Sequence, residues 1–328
     1  MPTVKYWQAV NSALREELER DASVVVFGED VGKPGGPFGA TRGLQEQFGP
    51  ARVRDTPLSE ASIVGAAVGA AMTGLRPVVE VMFFDFITLA MDQLVNQAAK
   101  VRFMSGGALT APMVVRVLCG AGRGSGPQHS QSFESWLAHV PGLHVVAPGT
   151  PADAKGLLKA AIRSDDPVIV LDSSRLWVSR GEVPDGDHLT PIGQARIARP
   201  GRDLTIVSWS WALSRALEAA EELAGTGIEA EVIDLRSLNP LDERLVLDSL
   251  SRTGRLVIAH DAAASYGPGA EIAALAAGAG FQHLRAPVVR VTPPFAPAPF
   301  PAHLERSFYP QGADVASAAR SLMRGEDG

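Results

Sequence analysis

The chain has 328 residues, of which 46% are hydrophobic and 20% are charged, and its formal net charge is −6. This length is sufficient for two domains with cores of their own, and the composition is typical of a globular protein rather than a disordered one. The sequence contains no basic run of the nucleic-acid-binding type and no apolar stretch near the roughly 20 residues that span a bilayer. Residues 1–20 are charged and amphipathic, unlike a signal peptide, so we expect a cytoplasmic protein.

Apolar runs alternate with helical patterns along the first half of the chain. Residues 3–20 have apolar positions at helical spacing, residues 24–27 form a short apolar run, and the Gly- and Pro-rich segment 31–54 is predicted to be a loop with a short helix near 41–48. Further strands are predicted at 78–83, 112–118, 143–147 and 168–172, and helices at 59–74, 86–104 and 151–163. This alternation predicts a parallel sheet covered by helices on both faces.

The alternation of strands and helices is interrupted at residues 173–200, which lack periodicity and contain several glycines and prolines. It resumes after residue 200. We therefore divide the chain into a first domain, 1–180, a linker, 181–200, and a second domain, 201–328. The second domain has apolar strands at 204–209, 230–235, 256–260 and 288–291, and helices at 213–224, 269–277 and 314–323. The sequence thus predicts an α/β protein of two domains, each with a mostly parallel sheet and helices on both faces.

The segment Asp55-Thr56-Pro57-Leu58-Ser59-Glu60 places a carboxylate at the start of a helix built from very small residues. The glycines and alanines from Ala61 to Gly74 would let this helix lie very close to another backbone or to a flat ligand. An acid on such a closely packed element is a candidate for proton transfer. The same residues also fit a simple helix start, in which Ser59 or Glu60 favours the positive end of the helix. Spacing alone leaves both interpretations open.

A glycine-rich loop, residues 120–126, leads into Gln128-His129-Ser130-Gln131. Its backbone N–H groups could cradle a phosphate, but the loop has neither the Walker ending nor the dinucleotide-binding spacing. We interpret it as a loop that lets His129 approach a ligand, the alternative being a histidine bonded to its polar neighbours. Glu29, after the first strand, also has two interpretations, a site acid at a strand end or a solvated loop acid.

Other kinds of site find little support in the sequence. The single cysteine, Cys119, excludes an intrachain disulfide, and we expect a small core residue there rather than a catalytic thiol. His139, His144, His260 and His283 have no partner at metal-ligand spacing, so no zinc site is predicted. A hydrolase triad has no starting point because the Gly-x-Ser-x-Gly pattern is absent.

Taken together, these segments resemble the beta subunit of the thiamine-diphosphate-dependent decarboxylating component of 2-oxo acid dehydrogenase complexes. Pyruvate, branched-chain 2-oxo acid and acetoin dehydrogenases share this subunit type. The match runs through nearly the whole chain, and its most specific motifs are Gly28-Glu29-Asp30-Val31-Gly32, Asp55-Thr56-Pro57-Leu58-Ser59-Glu60, Gly74-Leu75-Arg76-Pro77-Val78-Val79-Glu80, Gln128-His129-Ser130-Gln131 and Glu231-Val232-Ile233-Asp234-Leu235-Arg236. The resemblance implies a transketolase-like pyrimidine-binding domain followed by a transketolase C-terminal-like domain.

The resemblance also implies roles for single residues. Glu60 matches the glutamate that hydrogen-bonds the aminopyrimidine ring nitrogen of thiamine diphosphate, which favours the imino tautomer that removes the thiazolium proton. Phe86 matches an aromatic residue that packs on the aminopyrimidine, and Leu58 lies at a cofactor-contacting position. His129 matches a histidine used in passing the acyl group to the lipoyl partner, and Glu29 matches an acid suggested to relay protons between paired active sites.

Cofactor ions and partners follow from the same resemblance. In this family the diphosphate is held through Mg²⁺ by a Gly-Asp-Gly motif that this chain lacks and that the alpha subunit supplies. We therefore expect a heterotetramer of two alpha and two beta chains, which decarboxylates a 2-oxo acid, acylates lipoamide and can dock to a lipoyl acyltransferase core. The family's structural potassium site, made largely of backbone oxygens, aligns with Met113, Ala161, Ile162, Ser164 and Asp166.

Departures from the family pattern leave alternative functions open. His260-Asp261 stands where family members often have His-Glu, and Pro293-Pro294-Phe295 stands where many have an acidic residue. The second domain helps to dock the acyltransferase core in the family, so these changes also fit a two-component carboligase that makes acyloins. A further alternative is a non-catalytic scaffold paralogue that only supports an alpha subunit.

Overall fold

The structure, a computed structural model, describes residues 1–36, 38–120 and 122–325. Three parts of the predicted segments lie outside the described residues: Pro37 in the loop 31–54, Ala121 in the glycine-rich loop, and residues 326–328 at the end of the second domain. Within the described residues, no helix combines the length and the apolar character needed to cross a membrane.

Strands and helices alternate along the chain. The strands are β1 (Thr3–Lys5), β2 (Val24–Gly28), β3 (Val53–Asp55), β4 (Arg76–Val81), β5 (Val114–Cys119), β6 (His144–Val146), β7 (Val168–Ser173), β8 (Arg180–Glu182), β9 (Arg196–Arg199), β10 (Leu204–Ser208), β11 (Ala230–Asp234), β12 (Ser237–Asn239), β13 (Leu256–Ala259) and β14 (Val289–Val291). The α-helices are α1 (Tyr6–Arg20), α2 (Leu44–Phe48), α3 (Glu60–Met72), α4 (Val101–Met104), α5 (Glu134–Ala138), α6 (Pro151–Arg163), α7 (Ser210–Ala224), α8 (Glu243–Thr253), α9 (Pro268–Ala277), α10 (Ala302–Phe308) and α11 (Gly312–Arg324).

The larger sheet has the strand order β12-β6-β7-β5-β4-β2-β3. All neighbouring pairs in it are parallel except β12 with β6. Residues of β2 alternate between two apolar clusters, Val25 and Phe27 facing one and Val24 and Val26 the other. Helix α3 packs in the first cluster, and α1 and α6 pack in the second, so helices cover both faces of the sheet.

The smaller sheet has the order β14-β13-β10-β11-β9 and is parallel except for the edge strand β9. Helices α7 and α11 pack on one face, and α8 and α9 pack on the other. The predicted fold class, an α/β protein with two mostly parallel sheets and helices on both faces, is therefore confirmed.

The structure differs from the sequence-based elements at several places, of which three affect the architecture. Residues 86–104, predicted as one helix, consist of a 3₁₀ segment at Phe84–Ala90, a π-helical segment at Gln93–Ala98 and α4. The predicted linker contains β9 and part of β8, which pairs with β1 at the start of the chain. The second half of the chain also adds β12 to the larger sheet. The division at 180 and 200 remains a prediction.

Candidate active site

The carboxyl ends of β2, β3 and β4 lie side by side at one edge of the larger sheet. Gly28, the last residue of β2, is in register with Asp55 of β3 and with Glu80 of β4. The Asp55 carboxylate accepts hydrogen bonds from the backbone N–H groups of Gly32 (2.6 Å) and Lys33 (3.3 Å). This carboxylate ties the loop after β2 to the start of the segment that ends at Glu60. Such an edge is where ligands bind in open α/β sheets.

Two acids lie at this edge with little exposure to solvent. Glu60 is the first residue of α3 and is 4% exposed, and Glu29 directly follows β2 and is 9% exposed. Burial raises the pKa of Glu29 above its usual value, and the negative charges of Glu60 and Asp30 raise it further. The Oε1 atom of Glu29 has no hydrogen-bond partner among the described residues. The edge therefore holds acidic groups that influence one another, and no ion pair to Glu29 or Glu60 is found among the described residues.

The capping interpretation of this helix start finds little support in the contacts. The Ser59 side chain makes no capping hydrogen bond, and its hydroxyl donates to the Ser62 hydroxyl instead (2.9 Å). Glu60 is buried, whereas a carboxylate that only favours the positive end of a helix can do so from solvent.

His129 lies between two phenylalanine rings. Its ring centroid is 4.8 Å from that of Phe83 and 5.3 Å from that of Phe86, and both pairs are edge-to-face. The Asp85 carboxylate accepts two hydrogen bonds from Gln131, one from its backbone N–H (3.3 Å) and one from its amide Nε2 (2.7 Å). Asp85 therefore fixes the motif that carries His129 to the segment that carries Phe86. The structure brings these two predicted site residues together.

The glycine-rich loop does not present an open cradle. Its backbone N–H groups at Gly122 and Gly124 donate to the two carboxylate oxygens of Glu305, a residue of α10. An acid of the same chain thus accepts from two of the N–H groups that could have cradled a phosphate.

The residues of the predicted potassium site already have hydrogen-bond partners. The Arg76 guanidinium donates to the carbonyl oxygens of Ile162 (3.1 Å) and Ser164 (2.8 Å). The Met113 carbonyl accepts the N–H of Val168 (3.0 Å), and the Asp166 carboxylate accepts from Arg102 (2.6 Å). The Arg76 guanidinium thus already binds two of the carbonyls that would ligate the ion, so the described oxygens are not a good fit for potassium.

A second acidic pair lies where the two halves of the chain meet. Burial raises the pKa of Glu134 to about 7, and the charge of Asp261 contributes to this rise. Burial also raises the pKa of Asp261 to about 6. Glu134 Oε2, Asp261 Oδ1 and the nearby Ser130 hydroxyl have no hydrogen-bond partner among the described residues. Glu134 begins α5, shortly after the His129 motif, whereas Asp261 follows the end of β13 in the smaller sheet.

A separate cavity of about 430 Å³ lies at the start of α6, and it contains none of the predicted site residues. Arg196 and Arg236 line it, and both contact the buried Asp153 carboxylate, at 3.6 and 2.8 Å.

Comparison with known proteins adds family information to this geometry. Residues 2–177 match the family described as transketolase, pyrimidine binding domain, and residues 193–315 match transketolase, C-terminal domain. The beta subunit of acetoin:2,6-dichlorophenolindophenol oxidoreductase from Cupriavidus necator is 46% identical over 97% of this chain and 96% of its own length. The 2-oxoisovalerate dehydrogenase beta subunit from Bacillus subtilis is 43% identical over 98% and 99% of the two chains.

Two further similarities bear on the subunit type and the fold. Subunit beta-2 of the mitochondrial pyruvate dehydrogenase E1 component from Oryza sativa is 45% identical over 95% of this chain and 84% of its own length. The chain belongs to the family of E1 beta subunits of 2-oxo acid dehydrogenases. A solved structure described as a split-gene transketolase, inactive beta4 tetramer, superposes with a TM-score of 0.81 over 99% of this chain and 100% of its own, at 22% identity. That likeness concerns the fold alone.

The site residues of this E1 beta family member suit thiamine diphosphate in chemical type. Buried Glu60 is an acceptor for a protonated ring nitrogen, half-buried Phe86 offers an aromatic surface, and Glu29 has an oxygen without a partner. Leu58 is 78% exposed, so it is available to a ligand or to another chain. Among the described residues, no three His, Cys, Asp or Glu side chains are grouped so that they could hold a metal ion.

Sequence reasoning missed the residues that hold these groups in place. Asp85 lies directly before Phe86 and Phe83 lies three residues before it, whereas Glu305 is far away in the chain. The acid before Phe86 and the second glutamine of the His129 motif were visible in the sequence, but their pairing was not, because it joins residues 46 positions apart.

Proposed function

We propose that this chain is the beta subunit of a thiamine-diphosphate-dependent E1 component that oxidatively decarboxylates a 2-oxo acid and transfers the acyl group to lipoamide. The observation that carries this proposal is the buried Glu60 carboxylate beside Glu29, at the strand-end edge of the sheet that also carries the Phe86–His129 pair. The family of the chain supports the same reaction class, since each relative described above is named as a subunit of a dehydrogenase or oxidoreductase.

The side chains of this chain perform proton handling and positioning. Thiamine diphosphate, when bound, supplies the carbon nucleophile and the electron sink that decarboxylation requires. Glu60 would hydrogen-bond the aminopyrimidine nitrogen and hold the proton there, in a place that excludes competing water. Phe86 would pack on the ring, and Leu58 would contact the cofactor from its exposed position. Glu29 would exchange a proton with solvent or a second site, and His129 would serve the transfer of the acyl group.

The second half of the site is proposed to come from an alpha subunit. The sequence lacks the Gly-Asp-Gly motif through which Mg²⁺ and the diphosphate are held in this family. We therefore propose a heterotetramer of two alpha and two beta chains in the cytoplasm, able to associate with a lipoyl acyltransferase core. The named relatives do not favour the carboligase alternative.

The test is reconstitution with a candidate alpha subunit that carries the Gly-Asp-Gly motif, followed by parallel assays on pyruvate, 2-oxoisovalerate and acetoin. We expect one of the two 2-oxo acids to lose CO₂ and to pass its acyl group to one sulfur of an oxidised lipoyl disulfide, while the other sulfur is reduced to a thiol. Acyloin formation without lipoyl acylation would instead identify a carboligase. Activity that is unchanged when Glu60→Gln replaces the wild-type chain would identify a scaffold that only supports the alpha subunit.

A further inference from the structure

Glu305 binds the glycine-rich loop through both of its carboxylate oxygens. The N–H of Gly122 donates to Oε1 at 3.0 Å, and the N–H of Gly124 donates to Oε2 at 3.1 Å. Glu305 is 3% exposed, although most other residues of its short helix, α10, are exposed. A carboxylate at this depth needs partners, and two backbone donors supply them. The contact joins residues more than 180 positions apart.

The conformation of the loop makes this contact possible. Gly122 and Gly124 have φ angles of +121° and +64°, in the left-handed region that favours glycine. Alternating conformations of this kind turn successive N–H groups toward one concave side, which forms an anion-binding concavity. Because the anion here is part of the chain, the loop is held without an external ligand.

Two more contacts from the same C-terminal segment lie on either side of His129. The Phe300 ring packs against Gly126, where an added Cβ would come within 2.6 Å of it. The Tyr309 hydroxyl donates to the carbonyl of Ser130 at 3.3 Å. His129 itself donates its backbone N–H to the Gly126 carbonyl at 3.3 Å. The backbone on both sides of the histidine is therefore fixed from the second half of the chain.

We propose that Glu305 is a positioning residue for His129: by binding the N–H groups of Gly122 and Gly124 it holds the loop so that the imidazole stays against Phe83 and Phe86. It does not touch reacting atoms. The proposal rests on the proposed function only for the role of His129 in acyl transfer. The anchoring of the loop is a property of the chain that can be measured without turnover.

The first experiment measures amide hydrogen exchange of the 122–130 segment in the complex reconstituted with the alpha subunit. Glu305→Gln keeps one acceptor oxygen but presents an amide NH₂ to the second N–H. We expect exchange in this segment to become about 10-fold faster, as for loss of a hydrogen bond to a charged group. The control Glu271→Gln, the same change at an exposed position of α9, should leave it unchanged. Exchange within about two-fold of wild type in Glu305→Gln overturns the proposal.

The second experiment separates positioning from a general effect on the fold. In Glu305→Gln we expect kcat for acylation of the lipoyl acceptor to fall about 10-fold. Turnover of the 2-oxo acid with an artificial oxidant, which depends on cofactor activation by Glu60 but not on acyl transfer, should fall less. In a His129→Ala background, Glu305→Gln should have almost no further effect on lipoyl acylation, because the two residues act as one unit.

Each remaining outcome has a distinct meaning. An equal loss from Glu305→Gln with and without His129 would overturn the positioning role, since the effect would not pass through the histidine. If His129→Ala leaves lipoyl acylation unchanged, the role of His129 in the proposed function fails, whereas faster exchange of the 122–130 segment would still establish Glu305 as the anchor of the loop.

Discussion

The larger sheet contains two sets of buried acidic groups, and only one of them has a cationic partner. At its centre, the Arg116 guanidinium lies between the carboxylates of Glu80 (2.7 Å) and Asp172 (2.8 Å), and the Tyr6 hydroxyl donates to Asp172 (2.7 Å). At its carboxyl-end edge, the charge of Glu60 acts on Glu29, and neither acid forms an ion pair within the part of the chain that the structure describes. Both sets are almost inaccessible to solvent, so the difference is one of pairing rather than burial.

This contrast distinguishes a structural cluster from a site. The two carboxylates raise the pKa of Arg116, which keeps it charged and bonded in the interior. Such a cluster holds three adjacent strands in one register and offers nothing to a ligand. Glu29 and Glu60 are buried and repel each other, and no described residue offsets this with an ion pair. Such an arrangement is expected where a ligand supplies the missing partner.

The largest effect is expected from Glu60→Gln in the complex with the alpha subunit. Removing the acid should lower kcat by about 10²- to 10⁴-fold, the range typical of a lost general acid–base group. Stability should change little, because the substitution removes repulsion rather than a paired contact. Thermal unfolding and steady-state turnover measure the two quantities, with Glu46→Gln on the exposed part of α2 as the matched control. Turnover within a few-fold of wild type would contradict the role of Glu60.

Unlike the loss of Glu60, the loss of Arg116 from the central cluster should reduce the stability of the fold. Arg116→Met leaves Glu80 and Asp172 buried without a partner, so we expect the free energy of unfolding to fall by about 3–5 kcal/mol. Denaturant titration of the isolated chain measures this loss. A decrease below about 1 kcal/mol would show that the cluster adjusts or is hydrated, and the contrast with the edge would lose its basis.

Glu134 should make stability depend on pH. Its pKa rises from 4.5 unfolded to about 7 folded, so the native state holds a proton that the unfolded state releases between these values. The free energy of unfolding should therefore fall as the pH rises from about 4.5 to 7, and Glu134→Gln should reduce this fall by about 2 kcal/mol. Parallel melts at pH 5 and pH 7.5 test the sign. An unchanged pH dependence in the variant would exclude a neutral carboxyl at Glu134.

The smallest effect is expected from Glu29→Gln. Because burial, Glu60 and Asp30 raise the pKa of Glu29, the wild-type chain loses stability as the pH rises through the folded value. The glutamine variant should be more stable above that pH by less than about 1 kcal/mol and indistinguishable below it. Thermal melts of the isolated chain across this range provide the comparison. A loss of stability at high pH would mean that Glu29 has a cationic partner and belongs with the paired cluster.

Sequence reasoning predicted the elements that have local signals. The helix predicted at 151–163 coincides with α6, where the Thr150 side chain caps the first turn and Pro151 starts it. The helix predicted at 86–104 was wrong because its apolar positions change spacing. Phe84, Ile87 and Ala90 are three apart, as in a 3₁₀ helix, and only the next buried residue, Leu94, follows at four.

Short elements that are stabilised by contacts with distant parts of the chain were not predicted. Strand β12 has three residues and exists because it pairs with β6 across the two halves of the chain. Helix α8 was missed although it had a local signal, Asp242 before it and Gly254 after it. In the site, motifs pointed to Glu60, Phe86 and His129, whereas the contact of Glu305 with the glycine-rich loop depends on tertiary placement alone.

The central claim is that this chain provides one half of a shared cofactor site. Calorimetric titration of thiamine diphosphate with Mg²⁺ into the isolated chain, and into its complex with the alpha subunit, tests that claim most directly. We predict no measurable heat of binding for the isolated chain and saturable binding by the complex, weakened in the Glu60→Gln complex. Tight binding of the cofactor and Mg²⁺ by the isolated chain would contradict the account.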